Sequence, residues 1–305
     1  MKSVIWRIHD AKPGHANKTR GLVRALAALT DVETIDVPTP SKWLSWQWWV
    51  TGTFPLGSDL PRPNLIVGAG HATHVAVLAA RSAHGGKAIV LMKPSLPLRL
   101  FDLCIVPEHD AVTAAGNLLT TRGVLNVIEP SSAQQSARGL MLIGGPSSTY
   151  GWDSAAMIDQ IIAAAWGQPS VDWTLTTSRR TPADFLEHLS ASKPPNLTIV
   201  PCEQTGPAWV PQELARSAQV LVSEDSVSMV YEALTSGAAV GLLSVPSERS
   251  GRVARGVHAL VQDGWVTRFA DWQRTEPLAK PPGKLHEAER CASLICERYL
   301  LSRAA

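Results

Sequence analysis

Four short segments of this sequence bring glycine together with imidazole, hydroxyl or carboxylate side chains: DAKPGH (Asp10–His15), GAGHAT (Gly68–Thr73), GGPSS (Gly144–Ser148) and SEDSVSMVYE (Ser223–Glu232). Each follows a short apolar run. Ligands of open parallel sheets bind beyond the carboxyl ends of the strands, so small and polar residues at those ends are the first candidates for chemistry. In the first segment Pro13 and Gly14 turn the chain into a helix and leave His15 near its start, where a neutral imidazole can serve as a base. A tight turn with a solvated histidine is the plainer alternative. The second segment resembles a dinucleotide fingerprint in outline, but Thr73 stands where the third glycine belongs and VLMK occupies the region expected to carry an acid. A dehydrogenase is therefore disfavoured. What survives is a glycine turn, Gly68 and Gly70, that lets a ligand or a second backbone come close to helix amides.

In the third segment Gly144 and Gly145 are expected to leave backbone amides open to a pyrophosphate, with Ser147 and Ser148 adding hydroxyl donors. Thr176, Thr177, Ser178, Arg179 and Arg180 crowd the end of the next strand, and arginine suits bidentate contact with phosphate. An ordinary glycine turn is the alternative here. The fourth segment opens a helix with Asp225, Ser226 and Ser228 and places Glu232 about a turn and a half inside, where a carboxylate can accept both ribose hydroxyls of a nucleotide. Ser226 as a plain N-cap is the competing reading. A fifth cluster, Glu108, His109 and Asp110 in PEHD, ends another apolar run, and an acid there could orient or deprotonate an acceptor hydroxyl. No metal site and no cofactor is assigned.

Positioning these groups requires strands that end where the segments begin. Short apolar runs alternate with helical patterns along the chain, the signature of βαβ units and parallel sheets. Strands are expected at Ser3–Ile8, Glu33–Val37, Asn64–Val67, Lys87–Leu91 and Leu103–Val106, then at Gly139–Ile143, Trp173–Thr176, Leu197–Val200, Val220–Val222 and Ala239–Leu243. Helices fit near Asn17–Leu29, His71–Ala83, Asp153–Trp166, Pro182–Leu189, Pro211–Ala218 and Ser226–Ser236. The polar, aperiodic stretch Glu129–Arg138 reads as a linker. The expected architecture is α/β, two Rossmann-like parallel-sheet domains facing a cleft. Residues 1–137 would form an acceptor-side domain and 138–305 a donor domain, with the last helix, within Leu285–Leu301, a candidate to cross back.

Composition narrows the function. A formal net charge of +2, without a run of Lys and Arg, excludes a strong polyanion-binding surface, so nucleic acid is not an expected partner. Cys104, Cys202, Cys291 and Cys296 lack paired metal or disulfide spacing and read as buried thiols of a reducing compartment. The amino terminus lacks the apolar core of a signal peptide and no stretch is long enough to span a membrane, so a cytoplasmic protein is expected. One segment qualifies this: in KWLSWQWWV, Trp43, Trp46, Trp48 and Trp49 crowd together, either as a peripheral membrane contact or as a core helix.

With these residues placed, the chain resembles the GT-B glycosyltransferases that include the peptidoglycan N-acetylglucosaminyltransferase and the lipid A disaccharide synthase. DAKPGH matches the glycine turn ending in His after their first strand, without its first glycines. Gly68–Gly70 is similar to their second glycine turn, and ELARSAQVLVSEDSVSMVYEALTSGAAVGLL to their donor-side helix, whose ribose-holding acid falls on Glu232. A closer resemblance is to the bacterial branch of the mitochondrial-fission elongated-mitochondria family, through DAKPGH, PNLIVGAGHAT, FDLCIVPEHD, LIGGP, TTSRRTP and EDSVSMVYEA in that order. The resemblance implies transfer of a sugar from a nucleotide-sugar donor to an acceptor. Gly144, Gly145, Ser147, Thr177, Ser178, Arg179, Arg180, Asp225, Ser226, Ser228 and Glu232 would hold the donor. Lys12, Gly14, Gly70, His71 and His109 would face the acceptor, and His15, Asp110 or Glu108 would do the proton chemistry. A non-catalytic scaffold and a nucleotide-sugar epimerase are the alternatives: the first would bind no nucleotide sugar, and the second would isomerise its donor without an acceptor.

Overall fold

The computed structural model describes residues 2–110, 113–147, 149–246 and 252–301, the side chains of 252–255 excepted. Contacts divide the chain into two units, Met1–Val127 with His286–Ala305, and Ile128–Leu285.

Unit 1 contains β1 (Ser3–His9), α1 (Pro13–Leu29), β2 (Val32–Pro38), α2 (Lys42–Thr51), β3 (Leu65–Ala69), α3 (His74–His84), β4 (Lys87–Leu91), β5 (Leu103–Pro107) and β6 (Leu118–Thr121). Its sheet is parallel, in the order β2-β1-β3-β4-β5-β6. Helices cover both faces, so the central strands are apolar throughout: every residue of β3 (LIVGA) and β5 (LCIVP) is buried. On one face Leu22 and Leu26 of α1, one helical turn apart, pack with Cys291, Ala292 and Ile295 of the C-terminal helix Glu287–Ile295 against Ile5, Val67 and Ile89. On the other, Val77 and Ala80 of α3 pack with Trp6, Ile66 and Val90.

Unit 2 contains β7 (Gln135–Leu142), α4 (Ser154–Gly167), β8 (Asp172–Thr176), α5 (Phe185–Ala191), β9 (Leu197–Val200), α6 (Trp209–Arg216), β10 (Ser217–Ser223), α7 (Val227–Thr235), β11 (Ala239–Leu243), α8 (Arg252–Gln262) and β12 (Thr267–Arg268). The sheet is again parallel, in the order β12-β11-β10-β7-β8-β9. Ile161 and Ala165 of α4 and Phe185 and Leu189 of α5 pack against Met141, Trp173 and Leu175 of the sheet.

Three expectations change. The polar stretch read as a linker, Glu129–Arg138, ends inside β7: Gln135, Ser136 and Ala137 are exposed strand residues. Cys104, Cys291 and Cys296 are buried, and burial pushes the thiols of Cys104 and Cys291 up to about 12, but Cys202 is only half-buried. The strands β6 and β12 were not anticipated; both stand at sheet edges, where apolar runs are short. Among the described residues no helix is long and apolar enough to cross a membrane.

Candidate functional site

Each sheet has one place where successive crossovers leave in opposite directions, and ligands of such sheets sit at that switch point. In unit 1 the chain passes from β1 to β2 on one side and to β3 on the other, so the turns following β1 and β3 flank it. These are Asp10–His15 and Gly70–Thr73, and the structure brings them together. His15 is the third residue of α1, and its ring lies over Gly70, whose φ is +81°. A Cβ on Gly70 would stand 2.9 Å from His15 Nε2 and closer still to Nδ1 and Cε1. Gly70→Ala therefore meets both a strained backbone and a collision, and we expect it to cost about 2–3 kcal/mol in thermal or urea unfolding.

His15 Nδ1 lies 2.9 Å from Asp10 Oδ2, and the Asp10 side chain is almost fully buried. Burial pushes the Asp10 carboxyl up, but the His15 hydrogen bond, the Lys12 amide on Oδ1 at 3.2 Å and the His15 and Lys12 charges hold it below the usual carboxylate value. An ionised carboxylate only accepts, so Nδ1 carries a proton, and the neutral form of the imidazole has its Nε2 lone pair left to act as a base. Strain marks the same sheet edge: Ala11 and Met92, at the ends of β1 and β4, have φ of 60° and 74°. Lys12, at the N-cap of α1, and Gly14 are exposed, as is His71 in the turn after β3.

His74, unmarked in the sequence reading, is wholly buried at the start of α3. Its Nδ1 accepts from the Ser95 amide at 3.3 Å, and its buried Nε2 has no hydrogen-bond partner among the described residues. Burial, then the charges of His71 and His15, lower its pKa from 6.5 to about 4. Between those values the unfolded chain binds the proton and the folded one does not, so stability falls as pH drops from 6.5 towards 4. The loss by pH 5 should be about 2 kcal/mol. Urea unfolding at pH 7 and pH 5 should show that difference in the wild type and lose it in His74→Gln, which keeps an acceptor for Ser95.

The PEHD residues lie apart from this pair. Glu108, His109 and Asp110 form a 3-10 turn after β5, and β3 and β4 separate β5 from β1, about 14 Å at the usual strand spacing. Lys93 Nζ reaches the Asp110 carbonyl at 3.5 Å, and the exposed Glu108 raises the pKa of Arg290 through its charge, after the larger effects of Glu287. Of the three groups proposed for proton chemistry, only His15 stands at the switch point.

In unit 2 the chain runs β7, β8, β9 to one side and returns to β10 on the other, so the switch point lies between the turns following β7 and β10. There the structure corrects the role of the glycines. The Gly144 amide donates to Ser223 Oγ at 2.7 Å and the Gly145 amide to Asp225 Oδ2 at 3.1 Å. Neither is open to a pyrophosphate. The residues are glycine because a Cβ on Gly144 would overlap the Asp225 carboxylate, and one on Gly145 the Arg180 backbone. Arg180 is likewise engaged: Nη2 meets Asp225 Oδ2 at 2.6 Å and Nη1 donates to the Gly145 carbonyl at 2.6 Å. It clasps the β7 turn to the start of α7, and its neighbour Arg179 is exposed.

The hydroxyls mostly build turns. Ser147 Oγ accepts from the Thr149 and Tyr150 amides, Thr177 Oγ1 from the Cys202 amide and Ser178 Oγ from the Arg180 amide. Ser148 lies outside the described residues. Thr181, passed over in the sequence, ties the β8 turn to the Gly144 carbonyl at 2.5 Å. Ser223, Tyr150 and Glu224 were passed over too. Burial raises the pKa of Tyr150, with the charges of Glu224 and Asp225 adding to it, and burial also raises that of Glu224. Ser223 and Thr181 stand 79 and 37 positions from Gly144, so no local signal tied them to the glycines.

What remains open is the start of α7. Ser226 holds the N-cap position, yet its side chain makes no capping bond, so among the described residues the first-turn amides have no N-cap side-chain acceptor at the positive end of the helix dipole. Ser228 is exposed and Glu232, one turn further on the same face, is half-buried, while Val230, Ala233 and Leu234 pack inward. An anion at this helix start would gain from its dipole.

A family model described as Mitochondrial fission ELM1 matches residues 13–299. Among solved structures, a protein assigned as a UDP-N-acetylglucosamine 2-epimerase from Listeria monocytogenes superimposes with a TM-score of 0.64 at 12% identity, covering 98% of this chain and 97% of that one. The UDP-GlcNAc 2-epimerase of Neisseria meningitidis bound to UDP-GlcNAc gives 0.62 at 12%, covering 99% and 100%. That of Methanocaldococcus jannaschii gives 0.57 at 11%, covering 97% and 100%. At these identities the likeness is one of fold, the GT-B type. A search of curated proteins finds no match.

Proposed function

The chain belongs to the mitochondrial fission ELM1 family, and from that premise we propose that it is a nucleotide-sugar-dependent enzyme of the glycosyltransferase type. The observation that carries the reading is the start of α7 at the unit 2 switch point, with no side-chain cap and with Ser228 and Glu232 on its exposed face. A diphosphate there gains first-turn amides and the helix dipole, with Arg179 as a nearby cation, and Glu232 accepts the ribose hydroxyls. In transfer, an acceptor oxygen bonds to the anomeric carbon while the bond to the diphosphate breaks and its electrons leave with the phosphate. The developing negative charge is what a helix start stabilises. The acceptor proton passes to a base as the new bond forms; within unit 1, Nε2 of His15 has the character of such a base, its imidazolium held by the Asp10 carboxylate.

UDP-GlcNAc is the first donor to test, because the Neisseria meningitidis epimerase of like fold binds it. That likeness also supports a second reading, isomerisation of the donor sugar, which product analysis without acceptor separates from transfer. The experiment for the shared claim is a thermal-shift panel of UDP-, GDP-, CMP- and dTDP-sugars on the wild type and Glu232→Ala. One nucleotide class should raise the wild-type melting temperature. The variant should bind it about 10–100-fold more weakly, the cost of a charged hydrogen bond. A flat panel would favour a scaffold without turnover.

A further inference from the structure

The tryptophan segment forms α2, and the helix divides its tryptophans between two surfaces. Ser41 accepts from the Leu44 amide at the start and Gly52, with φ +67°, ends it. Leu44, Ser45, Trp48 and Trp49 turn inward, Trp48 and Trp49 packing on the core of unit 1, with Trp48 edge-on to Phe54 at 5.6 Å. Trp43, Trp46, Gln47 and Val50 share the opposite face, since residues three, four and seven apart fall together on a helix. Trp43 is 70% exposed, Trp46 38% and Val50 81%, and Leu56, in the turn that follows, is 40% exposed. The inward tryptophans thus fix a helix whose outer face is apolar.

We infer that this face docks on a lipid surface, seated at the boundary between headgroups and acyl chains. Three observations select that occupant. The exposed apolar area of the four side chains is on the order of 400 Å², about half of the 800 Å² per partner that a stable protein interface buries, so a second copy would be underheld while a bilayer needs no matching contour. The largest exposed group is indole, whose apolar ring and polar N–H suit the headgroup boundary. No acidic residue occurs between Asp36 and Asp59, and Lys42 opens the helix, so an anionic headgroup layer meets no opposing charge along this stretch. With ten residues, α2 is too short to span a bilayer and would lie in its surface.

The inference does not depend on the nucleotide-sugar reading and is tested separately. The full chain is sedimented with vesicles of phosphatidylcholine alone and of phosphatidylcholine with phosphatidylglycerol, while tryptophan emission is recorded. The wild type should co-sediment with the mixed vesicles and its emission shift to the blue. Trp43→Ser/Val50→Ser should lower partitioning about tenfold or more without changing the melting temperature, because both side chains are exposed. The inference is overturned if the wild type stays in the supernatant with both vesicles, or if the double variant binds as well as the wild type. Light scattering that reports a dimer dissolved by the double variant would overturn it too, making a second copy the occupant.

Discussion

His15→Ala is expected to reduce turnover of a nucleotide sugar about 10²–10⁴-fold, the usual worth of a positioned general base, while the thermal shift produced by the donor stays intact. The two readouts separate because His15 belongs to unit 1 and the residues proposed to hold the donor to unit 2. Asp10→Asn should lie between wild type and His15→Ala in rate. An amide in place of the carboxylate no longer stabilises the imidazolium, and it can present its NH₂ to Nδ1 and favour the wrong tautomer. The pH–rate profile should report the difference, its basic plateau retained in the wild type and depressed in Asp10→Asn. Asp10 also bears on folding. Its folded pKa lies below the ordinary value, so its contribution to stability is present above about pH 4 and is lost as pH falls through the folded pKa.

The second large effect is expected at Asp225. Its side chain is fully buried and Oδ2 receives both the Gly145 amide and the Arg180 guanidinium. Asp225→Ala leaves a buried amide and a half-buried cation without their shared acceptor. Breaking a buried pair costs about 3–5 kcal/mol, and the 40% exposure of Arg180 places this one at or below the lower end. A loss of about 3 kcal/mol would lower the melting temperature by about 6 °C. Asp225→Asn, which keeps an oxygen for the Gly145 amide, should lose less. If both variants melt with the wild type, the clasp between the β7 turn and α7 contributes nothing to stability.

The comparison of these two sites shows what a sequence can reveal. Strands β4, β9 and β11 lie on the residues their apolar runs predicted, Lys87–Leu91, Leu197–Val200 and Ala239–Leu243; β11 is buried along its whole length, as a strand covered on both faces must be. Helix α1 begins at Pro13, four residues ahead of the predicted start, since proline is compatible with the first turn of a helix. Asp10 was within reach, five residues from His15 in one motif. The role of Gly144 and Gly145 was not. Glycine supplies an open amide or makes room for a neighbour, and the side chains that decide between these, Ser223 and Asp225, are about eighty residues away and meet the glycines only once β7 and β10 pair. Arg179 and Arg180 could not be told apart for the same reason: the partner that claims Arg180 lies on another turn.

The claim on which the functional account stands is that a nucleotide diphosphate seats on the start of α7. Backbone hydrogen exchange with and without saturating UDP-sugar, or whichever nucleotide class the thermal panel selects, tests it directly. The account predicts slowed exchange at Val227, Ser228 and Met229, whose amides would bond the phosphates, and loss of that protection in Glu232→Ala at the same ligand concentration. Binding that leaves these three amides exchanging at their unliganded rates would contradict it.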